Sequence, residues 1–420
     1  MAGEKVSALR LSMHGQLVGY VAGFDNGRNV LSLAPEYIEN PNRYSLTLSM
    51  SSEEKFRVLA PRFPHARRMQ LHPVLSNLLP EGSLRELLAQ RLKIDQMNEF
   101  PLMAHLGADL PGALVAEPVP AEAVPDYAFG DQGRLDRIAI DVVDRVAHFS
   151  LAGVQMKFSM HSRDGRYIMG DSNEPGDWII KTPSTRHPFV PANEYTCMSL
   201  ARLIGVEIPE IRLVGMEQLE QLPEINLPDE GVAYGIRRFD RDGDRRVHAE
   251  DFAQVTFSYA AKKYEGASYE TIARLIYQNV YAGQLDVIQM AIRLLANILL
   301  GNGDAHKKNW SILYPDGITP TLSPAYDILF TRVYMGDEQE FGLSMAGTKR
   351  WYDVTMEHFE AWAERAGLPG SPILYNLRQA MNAAREQWPR ALEESPMAET
   401  HKDALRAHWL ALQPDFRIEA

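Results

Sequence analysis

The chain divides by the period of its apolar positions. Residues 6–11 and 16–24 alternate apolar and polar side chains around His14-Gly15, and residues 44–50 read as a further strand. Leu78, Leu79, Leu84, Leu87, Leu88 and Leu92 then fall largely at helix spacing, so 75–92 is predicted helical. Pro80 and Gly82 move the start of the helix proper towards Ser83. Residues 106–115 form a turn leading into a strand. Strand-like runs return at 149–160, where a small-residue turn leads into an alternating strand, and at 178–181, 208–214 and 231–239, interrupted by a helix from about Asn193. From about residue 250 helices dominate. Residues 268–281 and 285–300 carry apolar side chains three and four apart, and further helices start near Thr355, Pro372 and Glu399. One hairpin breaks that run: a strand over 310–314, a Pro315-Asp316-Gly317 turn and a return strand over 318–322.

This order predicts an α+β chain. Residues 1–115 form a small N-terminal α/β subdomain, and 136–237 form a β-rich lobe. Residues 238–420 form a helical lobe, with a hinge near Arg237 to Arg241. Between the first two units, 116–135 reads as an extended linker, because Pro118, Pro120 and Pro125 punctuate a stretch poor in large core residues.

Composition narrows the classes. A chain of 420 residues with 45 % hydrophobic content can fill two or three sizeable cores. The net charge of −12 argues against a broadly basic nucleic-acid binder. The local basic pairs Arg67-Arg68, Lys262-Lys263 and Lys307-Lys308 read as solvated faces. Cys197 is the single cysteine, which excludes an intrachain disulfide and suits a reducing cytoplasm. The first residues, Met-Ala-Gly-Glu-Lys, lack the apolar centre of a signal peptide. The most apolar run, 287–300, is interrupted by Gln289, Arg293 and Asn297 and is too short for a bilayer, so no membrane partner is expected.

The chemistry gathers where the second long helical run ends. Gly301-Asn302-Gly303-Asp304-Ala305-His306-Lys307-Lys308-Asn309 places Asp304 and Asn309 five residues apart, and Tyr326-Asp327 follows the hairpin. Protein kinases use an Asp-x-x-x-x-Asn spacing in their catalytic loop. The Asp takes or orients the proton of the attacking hydroxyl, and the Asn and a later Asp ligate magnesium. The hairpin can return Asp327 beside Asn309. Upstream, Ser150-Leu151-Ala152-Gly153-Val154 is a small-residue turn whose backbone N–H groups could approach phosphates, with Lys157 adding charge. Lys181 ends an apolar strand, as a phosphate-holding lysine would. Glu194, at the start of the next helix, either orients Lys181 or favours the helix dipole.

Together these phrases resemble the HipA family, the serine/threonine kinase toxins of bacterial type II toxin–antitoxin pairs. The matching segments are Asn77-Leu78-Leu79-Pro80, Ser150 to Lys157, Ile179-Ile180-Lys181, Asn193-Glu194-Tyr195, Arg238-Phe239-Asp240-Arg241, Glu250-Asp251-Phe252, Gly303 to Asn309 and Pro324-Ala325-Tyr326-Asp327, all in family order. The resemblance implies a kinase-like two-lobed fold with an additional N-terminal subdomain. It implies ATP and Mg²⁺ as cofactors and Asp304 as catalytic aspartate. It makes Asn309 and Asp327 metal ligands and Lys181 a phosphate contact. Ala152, Gly153 and Val154 would cover the phosphates with Lys157 nearby, and Arg237 and Phe239 would lie at the nucleotide hinge. His306 would sit against phosphate or substrate. Ser150 would be the autophosphorylation site. The implied partners are a HipB-like helix-turn-helix antitoxin, operator DNA through that complex, and an aminoacyl-tRNA synthetase as substrate. Arg237 departs from an acidic residue common at the family's hinge. Two other readings stay open: a small-molecule phosphotransferase, although Asn302 stands where those enzymes usually carry His, and a pseudokinase corepressor.

Overall fold

The computed structural model describes residues 5–130, 136–141, 155–169, 176–222, 226–336 and 339–419. Ser150, Ala152, Gly153 and Val154 lie outside them. The chain is α+β: two antiparallel-rich sheets come first and a helical lobe follows.

The first sheet runs in the order His65–Arg68, Arg28–Leu33, Gln16–Gly23, Lys5–Met13, Leu114–Pro120. Its period-two alternation sends Leu9, Leu11, Val21 and Leu31 to one face, against Val74, Leu75, Leu87, Leu88, Phe100 and Met103 of the following helices. The opposite face carries Ala8, Tyr20, Ala22, Phe24 and Val30, and Ala128 and Phe129 cover it.

Three expectations are corrected here. The Pro-rich stretch does not begin as a linker: Leu114–Pro120 is a strand, with Leu9 opposite Pro118 and Val6 opposite Pro120. It pairs along one side only, at the sheet edge, where a proline lacking an N–H is tolerated. Residues 44–50 are not a strand but end in a short 3₁₀ turn, Leu48–Met50. The predicted 75–92 helix is two helices, Pro73–Ser76 and Gly82–Leu92, with Asn77 to Glu81 between them.

The second sheet is ordered Ile211–Gly215, Val232–Arg237, Trp178–Lys181, Lys157–Arg163, Arg166–Met169, Leu219–Glu220, with only the last pair parallel. Helix Val190–Leu203 packs Met198 and Ala201 towards Tyr234 and Ile236. Cys197 is buried on it, as expected of a small apolar residue. A three-stranded sheet, His248–Asp251, Ser311–Tyr314 and Thr321–Leu322, and the helices Tyr269–Asn279, Gly283–Leu299, Met356–Ala366, Gly370–Glu393 and Glu399–Ala411 make up the helical lobe. Five tryptophans are buried here, and Trp388 and Trp409 donate their indole N–H groups to the Leu200 and Leu299 carbonyls at 2.9 Å each.

The N-terminal subdomain is fastened to this lobe through a buried carboxylate. Glu250 accepts hydrogen bonds from the Thr47 hydroxyl (2.7 Å), the Leu48 backbone N–H (2.6 Å) and the Tyr314 hydroxyl (2.5 Å). Burial raises its carboxyl to about 7 against these three donors. Ser45 N–H binds the Gly317 carbonyl at 2.9 Å. These long-range bonds occupy the backbone of 44–50 and explain why it forms no ladder.

Candidate active site

The site is built where the second sheet meets the loop after helix Gly283–Leu299. Lys157 and Lys181 stand directly opposite each other across neighbouring strands, so both point from the same sheet face. Like charges so placed repel unless an anion lies between them, and Asp327 supplies it. The Lys181 ammonium donates to Asp327 Oδ1, and Lys157 Nζ lies 3.2 Å from Oδ2. Burial works against the Asp327 charge, but the two lysines outweigh it and hold its carboxyl below the usual range. Asp327 itself has φ +54°, a left-handed conformation that Asp tolerates better than most residues.

Lys181 Nζ also lies 2.5 Å from Glu194 Oε1, and both side chains are buried. Burial opposes the lysine charge, yet Asp327 and Glu194 raise its pKa above the ordinary range. The helix starts at Val190, three residues earlier than expected, which leaves Glu194 outside its first turn. The lysine contact therefore accounts for Glu194 better than the helix dipole does.

The Asp304–Asn309 loop is held by its own polar groups. Asn302 Oδ1 accepts from Asp304 N–H at 3.2 Å, and Asn302 Nδ2 donates to Asn297 Oδ1 at 2.8 Å and to the Asp327 carbonyl at 3.3 Å. Asn309 Nδ2 donates to the Asp304 carbonyl at 2.6 Å. The Tyr326 hydroxyl donates to the Lys308 carbonyl at 2.8 Å. One asparagine and one tyrosine thus couple the Asp304 loop to the Asp327 turn. Strand Glu340–Met345 backs the loop: a Cβ on Gly342 would stand 2.8 Å from the Ala305 carbonyl carbon and 2.9 Å from the His306 nitrogen. His306 Nδ1 accepts from Lys308 N–H at 3.2 Å, and burial lowers its pKa to about 4.

Lys307 and Lys308 are not a solvated face. The Lys308 ammonium lies 3.1 Å from Glu81 Oε1, 3.1 Å from Asp251 Oδ2 and 2.9 Å from the Asn77 carbonyl. Asn77 Nδ2 in turn donates to the Ser258 carbonyl at 2.8 Å, and Lys307 Nζ donates to Ser258 Oγ at 2.7 Å. The Asn77-Leu78-Leu79-Pro80 phrase therefore reaches the Asp304 loop from the N-terminal subdomain. The phrase was visible in the sequence; its partner, 231 residues away, was not.

At the expected hinge, Arg237 is exposed and pairs with Glu210 at 3.7 Å, while the Phe239 ring packs on Tyr326 with centroids 5.5 Å apart. Neither contact identifies a nucleotide. Arg238 and Arg241 turn inward to Asp240 and Asp109.

The donor set suits a hard cation. Asp327 offers a carboxylate, and Asn309, whose NH₂ is engaged, keeps its side-chain oxygen available as a donor. Among the described residues there is no group of three or more His, Cys, Asp or Glu that could hold a metal. Magnesium, bound by one or two carboxylates and completed by phosphate and water, fits such a set better than a metal needing an all-protein cage. No helix among the described residues is long and apolar enough to cross a membrane.

Two family models match the chain: the HipA N-terminal domain over residues 9–117 and the HipA-like C-terminal domain over 149–388. The chain is 34 % identical to Y4dM of Sinorhizobium fredii, over 96 % of this chain and 97 % of that protein. It is 26 % identical to the serine/threonine-protein kinase toxin HipA of Shewanella oneidensis, over 73 % of this chain and 74 % of that one. The fold is similar to a chain in the solved Shewanella oneidensis complex of HipA, HipB and operator DNA. That match has a TM-score of 0.71 at 20 % identity and covers 96 % and 97 % of the two chains.

Proposed function

The chain belongs to the HipA family of kinase toxins, and from there we propose that it is an ATP- and Mg²⁺-dependent protein serine/threonine kinase. One observation carries this reading: Lys181 sits between Glu194 and Asp327, with the Asp304–Asn309 loop bonded to the Asp327 turn. Protein kinases use a strand lysine, a helix glutamate, a catalytic loop and a metal-binding aspartate in that relation, which supports the reading.

In this reading Lys181 and Lys157 receive phosphate oxygens, and Glu194 keeps Lys181 aimed. Asp327 and Asn309 would hold Mg²⁺, which, when bound, neutralises charge on the transferring phosphoryl oxygens. Asp304 orients the acceptor hydroxyl and takes its proton as the new O–P bond forms and the bond to the β-phosphate oxygen breaks. The residues contribute position and charge; none forms a covalent bond to substrate. Ala152 to Val154 would cover the phosphates from their backbone, and Arg237 and Phe239 would flank the adenine side.

The finer roles rest on family resemblance. Ser150 is the self-inactivating acceptor: its phosphate would add about −1.5 to −2 charge at the edge of the phosphate loop and expel that loop from its ATP-binding position. A HipB-like antitoxin is the partner, supported by similarity to the chain in the Shewanella complex. Through it the chain would co-repress its own operon at operator DNA. The protein substrate is an aminoacyl-tRNA synthetase, and the site of action is the cytoplasm.

The test is to incubate the purified chain with γ-labelled ATP and Mg²⁺. Label on protein supports the proposal. Label on small molecules alone selects the phosphotransferase reading, and no label selects the pseudokinase. Asp304→Ala should abolish labelling with an unchanged circular-dichroism spectrum; full labelling by that variant would refute the role of Asp304.

A further inference from the structure

The Asp304 carboxylate already holds a hydroxyl. The Tyr264 phenol donates a hydrogen bond to Asp304 Oδ1. It is the chemical group, in the donor role, that a phosphoacceptor must present to this carboxylate. Both are partly open to solvent: Tyr264 is 42 % exposed as a residue, and the Asp304 side chain is 45 % exposed.

His306 completes the pocket around that oxygen. Its Nδ1 accepts from Lys308 N–H, which assigns the ring proton to Nε2. Nε2 lies 3.6 Å from Asp304 Oδ1, too far for a direct bond. A donor and an acceptor at that separation suit a neutral hydroxyl, which can give to one and receive from the other. The Tyr264 ring stands edge-on to the His306 ring with centroids 5.0 Å apart.

Tyr264 is not needed to set the Asp304 backbone. Asn302 takes the Asp304 N–H, and Asn309 Nδ2 and His306 N–H occupy its carbonyl. The residue before the tyrosine is anchored, because the Lys263 carbonyl accepts from Lys307 N–H at 3.2 Å and Lys263 Nζ lies 3.6 Å from Glu81. The backbone on both sides of the phenol–carboxylate contact is therefore fixed by bonds other than that contact.

We propose that Tyr264 occupies the phosphoacceptor subsite as a stand-in for the incoming hydroxyl, and that a protein substrate must displace it to be phosphorylated. The inference rests on Asp304 being the catalytic carboxylate. It makes Tyr264 a competitor for the acceptor position, with no role in the chemical step itself.

The experiment compares full-length wild type, Tyr264→Phe and Asp304→Asn with ATP and Mg²⁺. It follows total ATP turnover to water and chain, and transfer to a pool of serine- and threonine-containing peptides. Phenylalanine keeps the ring contact with His306 and removes only the competing hydroxyl. Turnover without added peptide should rise roughly tenfold or more, and the KM for peptide should fall by a similar factor, the scale of one hydrogen bond to a charged group. The kcat and the ATP Kd should not change. A lower kcat at unchanged KM would make Tyr264 a positioning residue and overturn the proposal. Unchanged kinetics, or phosphate on Tyr264 by mass spectrometry, would overturn it too. Asp304→Asn separates the two readings. If it matches wild type, the role of Asp304 fails; if it is inactive while Tyr264→Phe behaves as wild type, only the stand-in fails.

Discussion

Glu250→Gln should change how stability depends on pH while leaving the structure in place. Gln keeps the size of the side chain and an oxygen for the Leu48 N–H and Tyr314 hydroxyl, and the Thr47 hydroxyl can turn to accept from its NH₂. What is lost is the titration. Burial holds the folded carboxyl near 7, whereas the unfolded group titrates near 4.5. The folded state therefore binds this proton more tightly. The stabilisation is complete below pH 4.5 and is lost as pH rises through 7. Between pH 5 and 7.5 those two values make the wild type lose about 2 kcal/mol that the variant does not lose. Urea denaturation at pH 5, 6, 7 and 8 measures the difference between the two proteins. Two donors come from the N-terminal subdomain, so exchange of the Leu48 amide should follow the same curve. A difference independent of pH would mean that the three hydrogen bonds balance burial, and the reasoning would fail.

Asp327→Asn preserves a residue that tolerates positive φ but removes a charge, so the Mg²⁺ concentration needed for half-maximal nucleotide binding should rise about tenfold or more by calorimetry. Lys181→Ala should weaken ATP binding and also destabilise the fold by roughly 3–5 kcal/mol, because Glu194 and Asp327 lose their shared cation. A fall in stability alone, with ATP affinity retained, would leave Lys181 a structural residue. Lys308→Met should reduce phosphoryl transfer although Lys308 touches neither Asp304 nor Asn309 through its side chain, since Glu81, Asp251 and Asn77 lose the group that joins them. Unchanged kcat there would sever the N-terminal subdomain from catalysis.

The lobe order and the strand-turn-strand after Asp304 were legible because local periodicity sets them. The observed Ser311–Tyr314 strand does pair with Thr321–Leu322, although the return strand is shorter than predicted. What failed was set by distant partners. Residues 44–50 look like a strand until Glu250 and Gly317 take their backbone groups. Lys307 and Lys308 look solvated until the loops around Asn77 and Ser258 close over them. Prolines 118 and 120 suggested a linker because the sequence cannot mark an edge strand. At the site, residue types and spacing identified Lys181, Asp304, Asn309 and Asp327 as candidates, but nothing in the spacing placed Tyr264 on Asp304. Glu194 stayed ambiguous until the helix start was known.

Gly342 has a genetic consequence. The backbone of the Asp304 loop lies against the space a side chain there would need, so even alanine would push on Ala305 and His306. One base change converts a glycine codon to an alanine codon. If expression of this chain arrests growth, survivors of its induction should include alleles altered at codon 342, with every residue of the phosphoryl-transfer set intact. Such an allele would pass as functional in any inventory of catalytic residues while encoding a harmless protein.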